Sequence, residues 1–250
     1  MKVDYKRLGQ IAVDPNFRGI MAKDTSDVLT NYLYMMSNLN ADVDQWSASE
    51  MAMITNSLNR WQDRKSKVNV QNVAVGDIVM VDLGLNYAPE LSYAHPVVVL
   101  EELKDIMLII PATSSANKVA QAYHPLDNPN GKWFYRKVGV ADGFAHDCVL
   151  LLSNIKIISK TAILSPMGKL TCDLSDKTQL YREIKDTILK KYFHKEWKYT
   201  CDLEKDYNSL VESDNELKET CENQKEEIKK LEERIQLLEE QLKNIDNNDD

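Results

Sequence analysis

Apolar and polar positions alternate along this chain in three successive patterns. The first is helical. Val28, Tyr32, Met35 and Leu39 step by four, three and four, which predicts one apolar face on a helix beginning at Asp24 or Thr25 and ending at Asn38-Leu39-Asn40. Val43, Trp46, Met53, Ile54, Leu58 and Trp61 lie roughly on one side of a second helix over residues 42–64, so the two predict a helical hairpin. Its expected role is to cover the core or to support a dimer; the alternative is a regulatory segment lying in a substrate groove. Residues 1–23 contain Asp14-Pro15-Asn16 and Arg18-Gly19, show weak periodicity, and are expected to be mostly irregular.

The second pattern occupies residues 75–170 and has the short, β-branched character of strands. Its runs are Gly76-Asp77-Ile78-Val79-Met80-Val81-Asp82, His95-Pro96-Val97-Val98-Val99-Leu100, Met107-Leu108-Ile109-Ile110-Pro111-Ala112-Thr113, and the stretch from Cys148 to Ile158. Several short strands at close spacing predict a small barrel or sandwich beginning near Val70. The connection over residues 85–94 is long for a hairpin, and long loops in compact domains are often functional. Residues 115–147 are the least regular part. They hold a turn signal at Asp127-Asn128-Pro129-Asn130-Gly131 and a short aromatic strand at Trp133-Phe134-Tyr135-Arg136-Lys137.

The third pattern is helical again. Asp173 or Ser175 can cap a helix running to about Phe193, along which Leu180, Ile184, Ile188 and Tyr192 keep a four-residue step. Beyond it Leu203, Leu210, Leu217, Gln224, Leu231, Leu238 and Ile245 recur every seven residues. Tyr207, Asp214, Cys221, Ile228, Ile235 and Leu242 fill the complementary position. Ile at a with Leu at d favours a parallel two-stranded coil, and Asp214 and Gln224 weaken its first half. In a parallel pair Arg234 would meet Glu239 of the other strand favourably, whereas Glu227 would meet Glu232 unfavourably. A homodimeric zipper is expected; a helix from another protein is the alternative partner. The last residues, 247–250, are expected to be disordered.

Composition changes this picture in three places. The formal net charge is −8, but residues 201–250 hold seven basic against seventeen acidic side chains, so the remaining chain is close to neutral. The acidity therefore belongs to the zipper and does not argue against a polyanionic substrate elsewhere. No apolar run reaches the length of a membrane span, and the first residues lack a signal-peptide core, so a cytoplasmic location is expected. The four cysteines, Cys148, Cys172, Cys201 and Cys221, form no paired motif, and neither a metal site nor a disulfide framework is expected.

The middle third resembles the MazF/PemK family of toxin endoribonucleases. The resemblance lies in the order of Gly76-Asp77-Ile78, His95-Pro96, Thr113-Ser114, Ile155-Lys156-Ile157-Ile158 and Gly168-Lys169-Leu170. It implies an α+β protein with a small SH3-like, MazF-like β-barrel over residues 70–198, closed by a C-terminal packing helix. The barrel would carry an N-terminal helical extension over 1–69 and a coiled coil over 199–246. It implies metal-independent cleavage of single-stranded RNA with no cofactor. It also implies inhibition by an antitoxin protein and a homodimer held by the barrel, to which the heptads of the tail are expected to add the coil.

Such cleavage uses the substrate 2′-hydroxyl as nucleophile. It needs a proton acceptor, a proton donor for the leaving oxygen, and donors for the phosphoryl oxygens. In the resembling family, an arginine in the first loop and a threonine at a strand end do this work. Thr113 matches the threonine, with Ser114 and Ser115 beside it as RNA-binding hydroxyls; a strand end followed by a turn is the alternative reading. His95 falls where the family has arginine. An imidazole can exchange protons near neutral pH but cannot act as a forked phosphate clamp. His95 therefore either carries acid–base catalysis, marks a site with reduced activity, or is a structural histidine. Lys156, where the family commonly has arginine, is the candidate backbone contact or else an ordinary surface lysine. The arginine–aspartate pair of other members is missing, since Leu151 and Ser153 stand there. His124 and His146 are expected in loops and His194 at a helix end. The basic cluster Arg60, Arg64, Lys65 and Lys67 is explained by a solvated helix C-terminus. A binding module without catalysis, or a topoisomerase poison on the same fold, remains the alternative function.

Overall fold

The computed structural model describes residues 2–67, 72–176 and 179–246. The expected barrel start at Val70 and the tail 247–250 lie outside the described residues, as do the side chains of Leu242, Ile245 and Glu239. The chain forms two compact units, Met1–Leu174 and Ser175–Asp250.

The first unit opens with a helix that periodicity did not predict, α1 (Tyr5–Val13). Asp4 caps it by accepting from the Arg7 N–H at 2.9 Å. The Asp4 N–H in turn donates to Asn31 Oδ1 at 2.6 Å, on α2 (Ser26–Ala41). Asn31 also donates to the Asp27 carbonyl, and Arg7 pairs with Asp27 at 2.8 Å. A polar residue thus takes the buried position on α2, while Tyr32 and Met35 of the expected apolar stripe stay exposed. Helix α3 (Ala48–Arg64) begins later than expected, because a 3-10 turn at Val43–Gln45 intervenes and Ser47 supplies the cap, accepting from the Glu50 N–H. Ile54 and Ser57 are its buried residues; Met53, Leu58 and Trp61 of the expected face are exposed.

The sheet that follows has eight strands: β1 (Asp77–Asp82), β2 (Ala94–Glu102), β3 (Ile106–Thr113), β4 (Ala122–Tyr123), β5 (Lys132–Val138), β6 (Cys148–Leu151), β7 (Lys156–Ser159) and β8 (Ile163–Lys169). A short helix, α4 (Ala116–Gln121), precedes β4. The pairing path runs β4-β5-β6-β3-β2-β1-β8 and, among the described residues, does not close. β7 joins the same edge of β3 that β6 uses, Ile106–Ile109 pairing with β7 and Ala112–Thr113 with β6. The expected single run from Cys148 to Ile158 is therefore two strands. A turn at Leu152-Ser153, closed by the Asn154 N–H on the Leu151 carbonyl, separates them.

Val79, Val81, Val97, Val99, Met107, Ile109 and Ile163 form one buried cluster on alternating positions of β1, β2, β3 and β8. A second cluster, Ala122, Val149 and Leu151, packs with Leu91, Val119 and Tyr135. The Gly76-Asp77-Ile78 motif has a local cause. Gly76 enters β1 with φ +84°, a left-handed conformation that glycine adopts without strain, and its N–H donates to the Val99 carbonyl at 2.8 Å.

The second unit consists of α5 (Leu180–Tyr192), capped at Gln179 rather than Asp173 or Ser175, and α6 (His194–Asp246), a single helix of 53 residues. Leu180 and Ile184 are buried as the four-residue step predicts, whereas Tyr192 is exposed. Arg182 of α5 pairs with Asp186 and reaches Glu204 of α6. The heptad residues Leu203, Tyr207, Leu210, Leu217, Ile228, Leu231, Ile235 and Leu238 are exposed along α6. Among the described residues no helix is long and apolar enough to cross a membrane.

Candidate functional site

The antiparallel ladder carries His95 of β2 and Thr113 of β3 to the same end of the sheet. Val81 of β1 pairs with His95, and Val97 pairs with Pro111 of β3. Continuing the β2–β3 register by two residues sets His95 opposite Thr113, with both on the same side of the sheet by alternation. The ring of His95 is half-buried and bonds to the backbone of Ala112, next to Thr113, and of Ser92.

Burial holds the His95 ring below the ordinary histidine value of 6.5, and the positive charge of Lys118 on α4 pushes the same way, while the two backbone hydrogen bonds oppose them. The ring is accordingly neutral at pH 7, the state in which an imidazole can accept a proton. Thr113 is half-buried, and its Oγ1 accepts from the Ser115 N–H at 3.4 Å, a long turn bond. Ser114 and Ser115 follow it, exposed to solvent.

The long loop before His95 is closed on itself. Leu83 N–H donates to the Tyr93 carbonyl and Tyr93 N–H to the Gly84 carbonyl. Asn86 donates to the carbonyls of Leu83 and Leu91 at 3.0 and 2.7 Å, and its N–H to Ser92 Oγ at 2.9 Å. Tyr93 sits at φ +69°, a left-handed conformation that costs a non-glycine residue about 1–3 kcal/mol. The loop's closing bonds and the packing of Leu91 sustain it and deliver Ser92 to the imidazole.

Lys156 lies apart from this pair. It is opposite Ile109, four residues along β3 from Thr113, and its ammonium is ion-paired with Glu90 of the loop. His124 is a turn acceptor, its Nδ1 taking the N–H groups of Leu126 and Asp127. His146 is exposed in a bend, and His194 opens α6 stacked on Trp197. Cys148 is buried beside Asp147 and Asp142, and burial foremost pushes its thiol up to about 12, so it stays protonated and inert. Among the described residues no group of three metal-ligating side chains converges.

Lys118 is the member of this neighbourhood that sequence reasoning missed. The signal available was Ser115 as a helix N-cap three residues ahead of it, but only the fold turns α4 towards the start of β2.

The chain thus defines a mixed α+β protein whose polar cluster lies where β2 begins and β3 ends. No protein-family profile matches it, and no curated protein matches it. Among solved structures, the Mycobacterium tuberculosis toxin MazF-mt6 aligns with 45% of this chain and 92% of its own at 14% identity, with a TM-score of 0.30. A TM-score that low carries no argument about fold or activity.

Proposed function

We propose that the chain is a metal-independent endoribonuclease that cleaves single-stranded RNA, acting as the toxin of a type II toxin–antitoxin pair. The observation supporting it is a neutral imidazole on β2 against the backbone of Ala112, the residue that precedes the Thr113 hydroxyl on β3. In this reading His95 takes the proton from the substrate 2′-hydroxyl, and the 2′-oxygen bonds to the adjacent phosphorus. The P–O5′ bond breaks to leave a 2′,3′-cyclic phosphate, with a water protonating the departing 5′-oxygen. Thr113, with Ser114 and Ser115, donates to the phosphoryl oxygens of the strained, pentavalent state. Lys118 contributes positive charge beside the ring, in place of the arginine the resembling family uses. Lys156 serves the RNA by holding the loop through Glu90. The barrel belongs to the same proposal, as do the antitoxin and a homodimer through α6.

The test is cleavage of a defined RNA by purified protein in the presence of EDTA. General acid–base catalysis contributes about 10²–10⁴-fold, so His95→Ala is expected to lower the rate by that order. Unchanged cleavage overturns the assignment. The wild-type rate is expected to rise with pH through a midpoint below 6.5, because the free ring is the active form.

A second reading is a non-catalytic RNA- or protein-binding module, or a topoisomerase poison. The pairing of Lys156 with Glu90 favours it, since that charge is already engaged. Expression in cells separates the three: arrest with RNA fragmentation supports the nuclease, arrest without it the poison, and no arrest the module.

A further inference from the structure

Lys65 and Lys67 at the basic end of α3 are solvated, as a helix terminus predicts, whereas Arg60 and Arg64 are half-buried against the sheet. Ser57, Arg60, Trp61 and Arg64 share one face of the helix, and that face lines a cavity of about 430 Å³ against Asp82-Leu83-Gly84, Ile158, Ser159, Thr161, Ala162 and Leu164. Four cationic side chains, Arg60, Arg64, Lys65 and Lys67, meet one carboxylate, Asp82, in its walls.

The two arginines are anchored in a way that leaves most of their donors uncommitted. Arg64 donates to the carbonyls of Thr161 and Ile163 at 3.1 and 2.8 Å, both through Nη1. Arg60 reaches Asp82 Oδ2 at 3.1 Å, also through Nη1. A guanidinium carries five N–H donors in a rigid fork. Among the described residues, the Nε and Nη2 donors of both arginines make no hydrogen bond. Asp82 accepts from Ser57 and the Gly84 N–H as well as Arg60, and its one negative charge offsets one of the four cations, leaving three. Guanidinium groups held still, with free N–H groups facing a cavity, are suited to phosphate. Trp61 adds a planar apolar surface. Its indole is 63% exposed, with the Lys65 ammonium 4.8 Å from the ring centre. The volume lies within the range of small-molecule pockets, about 300–1,000 Å³.

We propose that this cavity binds a phosphorylated nucleoside, with the base against Trp61 and the phosphate on Arg64 and Lys67. Phosphate is favoured over a carboxylate peptide because the open donors are paired N–H groups on two neighbouring arginines, and because the exposed ring suits a flat base. The ligand is either a free nucleotide or one unit of a nucleic-acid strand. The inference does not rest on the nuclease reading, since binding here involves neither His95 nor Thr113.

The test is calorimetric titration of the full chain with AMP, adenosine, a deoxyadenosine pentamer and an acidic heptapeptide. None of these has the internucleotide 2′-hydroxyl that the proposed cleavage requires, so loss of nuclease activity leaves the readout intact. AMP or the pentamer is expected to bind at least about 10-fold more tightly than adenosine, with affinity falling as salt rises. Binding of AMP assigns a free nucleotide; binding of the pentamer alone assigns a strand. Base–aromatic stacking is worth about 1–3 kcal/mol, so Trp61→Leu is expected to weaken binding by roughly 5- to 150-fold. Lys67→Glu, an exposed side chain whose structural bond is through its carbonyl, is expected to weaken it at least about 10-fold while leaving the melting temperature unchanged. No binding of either nucleotide at millimolar concentration, binding indifferent to both substitutions, or binding of the peptide alone overturns the proposal.

Discussion

Asp82 is where a single residue ties the helical segment to the sheet. Its carboxylate accepts from Ser57 Oγ at 2.7 Å, Arg60 Nη1 at 3.1 Å and the Gly84 N–H at 3.0 Å. Burial alone would raise its pKa, but these bonds outweigh burial and hold the carboxyl below the ordinary value of 3.8. A lowered carboxylate pKa stabilises the fold above the unfolded value and is lost as pH falls through the folded one. Asp82→Asn is therefore expected to flatten the fall in stability below pH 3.8, and to cost about 1–3 kcal/mol at pH 7 in denaturant unfolding. His95 works in the opposite protonation sense to a paired histidine. Because burial and Lys118 lower its pKa, the fold favours the neutral ring, and stability is lost as pH drops below 6.5. Neither environment was legible in the sequence. Ser57 and Arg60 look like a solvated helix face, and the opposition of His95 to Thr113 depends on a register that only the folded ladder defines.

Elements were legible where hydrophobic spacing dominates. β1, β2, β3 and β6 appear as β-branched runs because their buried faces need those side chains. Elements held by polar contacts were not. α1 is only nine residues long and carries a glycine, and is held by Asp4 and Asn31. The turn between β5 and β6 shows the same dependence on distant contacts. Gly143 has φ +99°, and a Cβ there would lie 2.1 Å from the Lys169 carbonyl oxygen at the end of β8. Gly143→Ala is expected to cost about 1–3 kcal/mol from backbone strain alone, with the clash added to it. A drop of several degrees in melting temperature checks this; an unchanged value contradicts the packing of that turn against β8.

At the scale of the whole molecule, the exposed heptad of α6 is the feature with the clearest consequence. If α6 pairs with a second copy, analytical ultracentrifugation is expected to show a dimer for the full chain. Deletion of residues 201–250 should leave a mass near one chain, or a much weaker dimer. A deletion variant that stays fully dimeric removes the coil as the interface. What the sequence determined by itself was local: the helical heptad of α6, the strand character of residues 75–170 and the acidic bias of the C-terminal fifth. Each of these follows from the spacing of side chains a few residues apart. The tertiary structure alone decided the rest. It set His95 against the backbone of Ala112, tied Lys156 to Glu90, and turned the basic end of α3 into the wall of a cavity. These are contacts between residues far apart in the chain, and their energies depend on burial and on partners that no local pattern encodes.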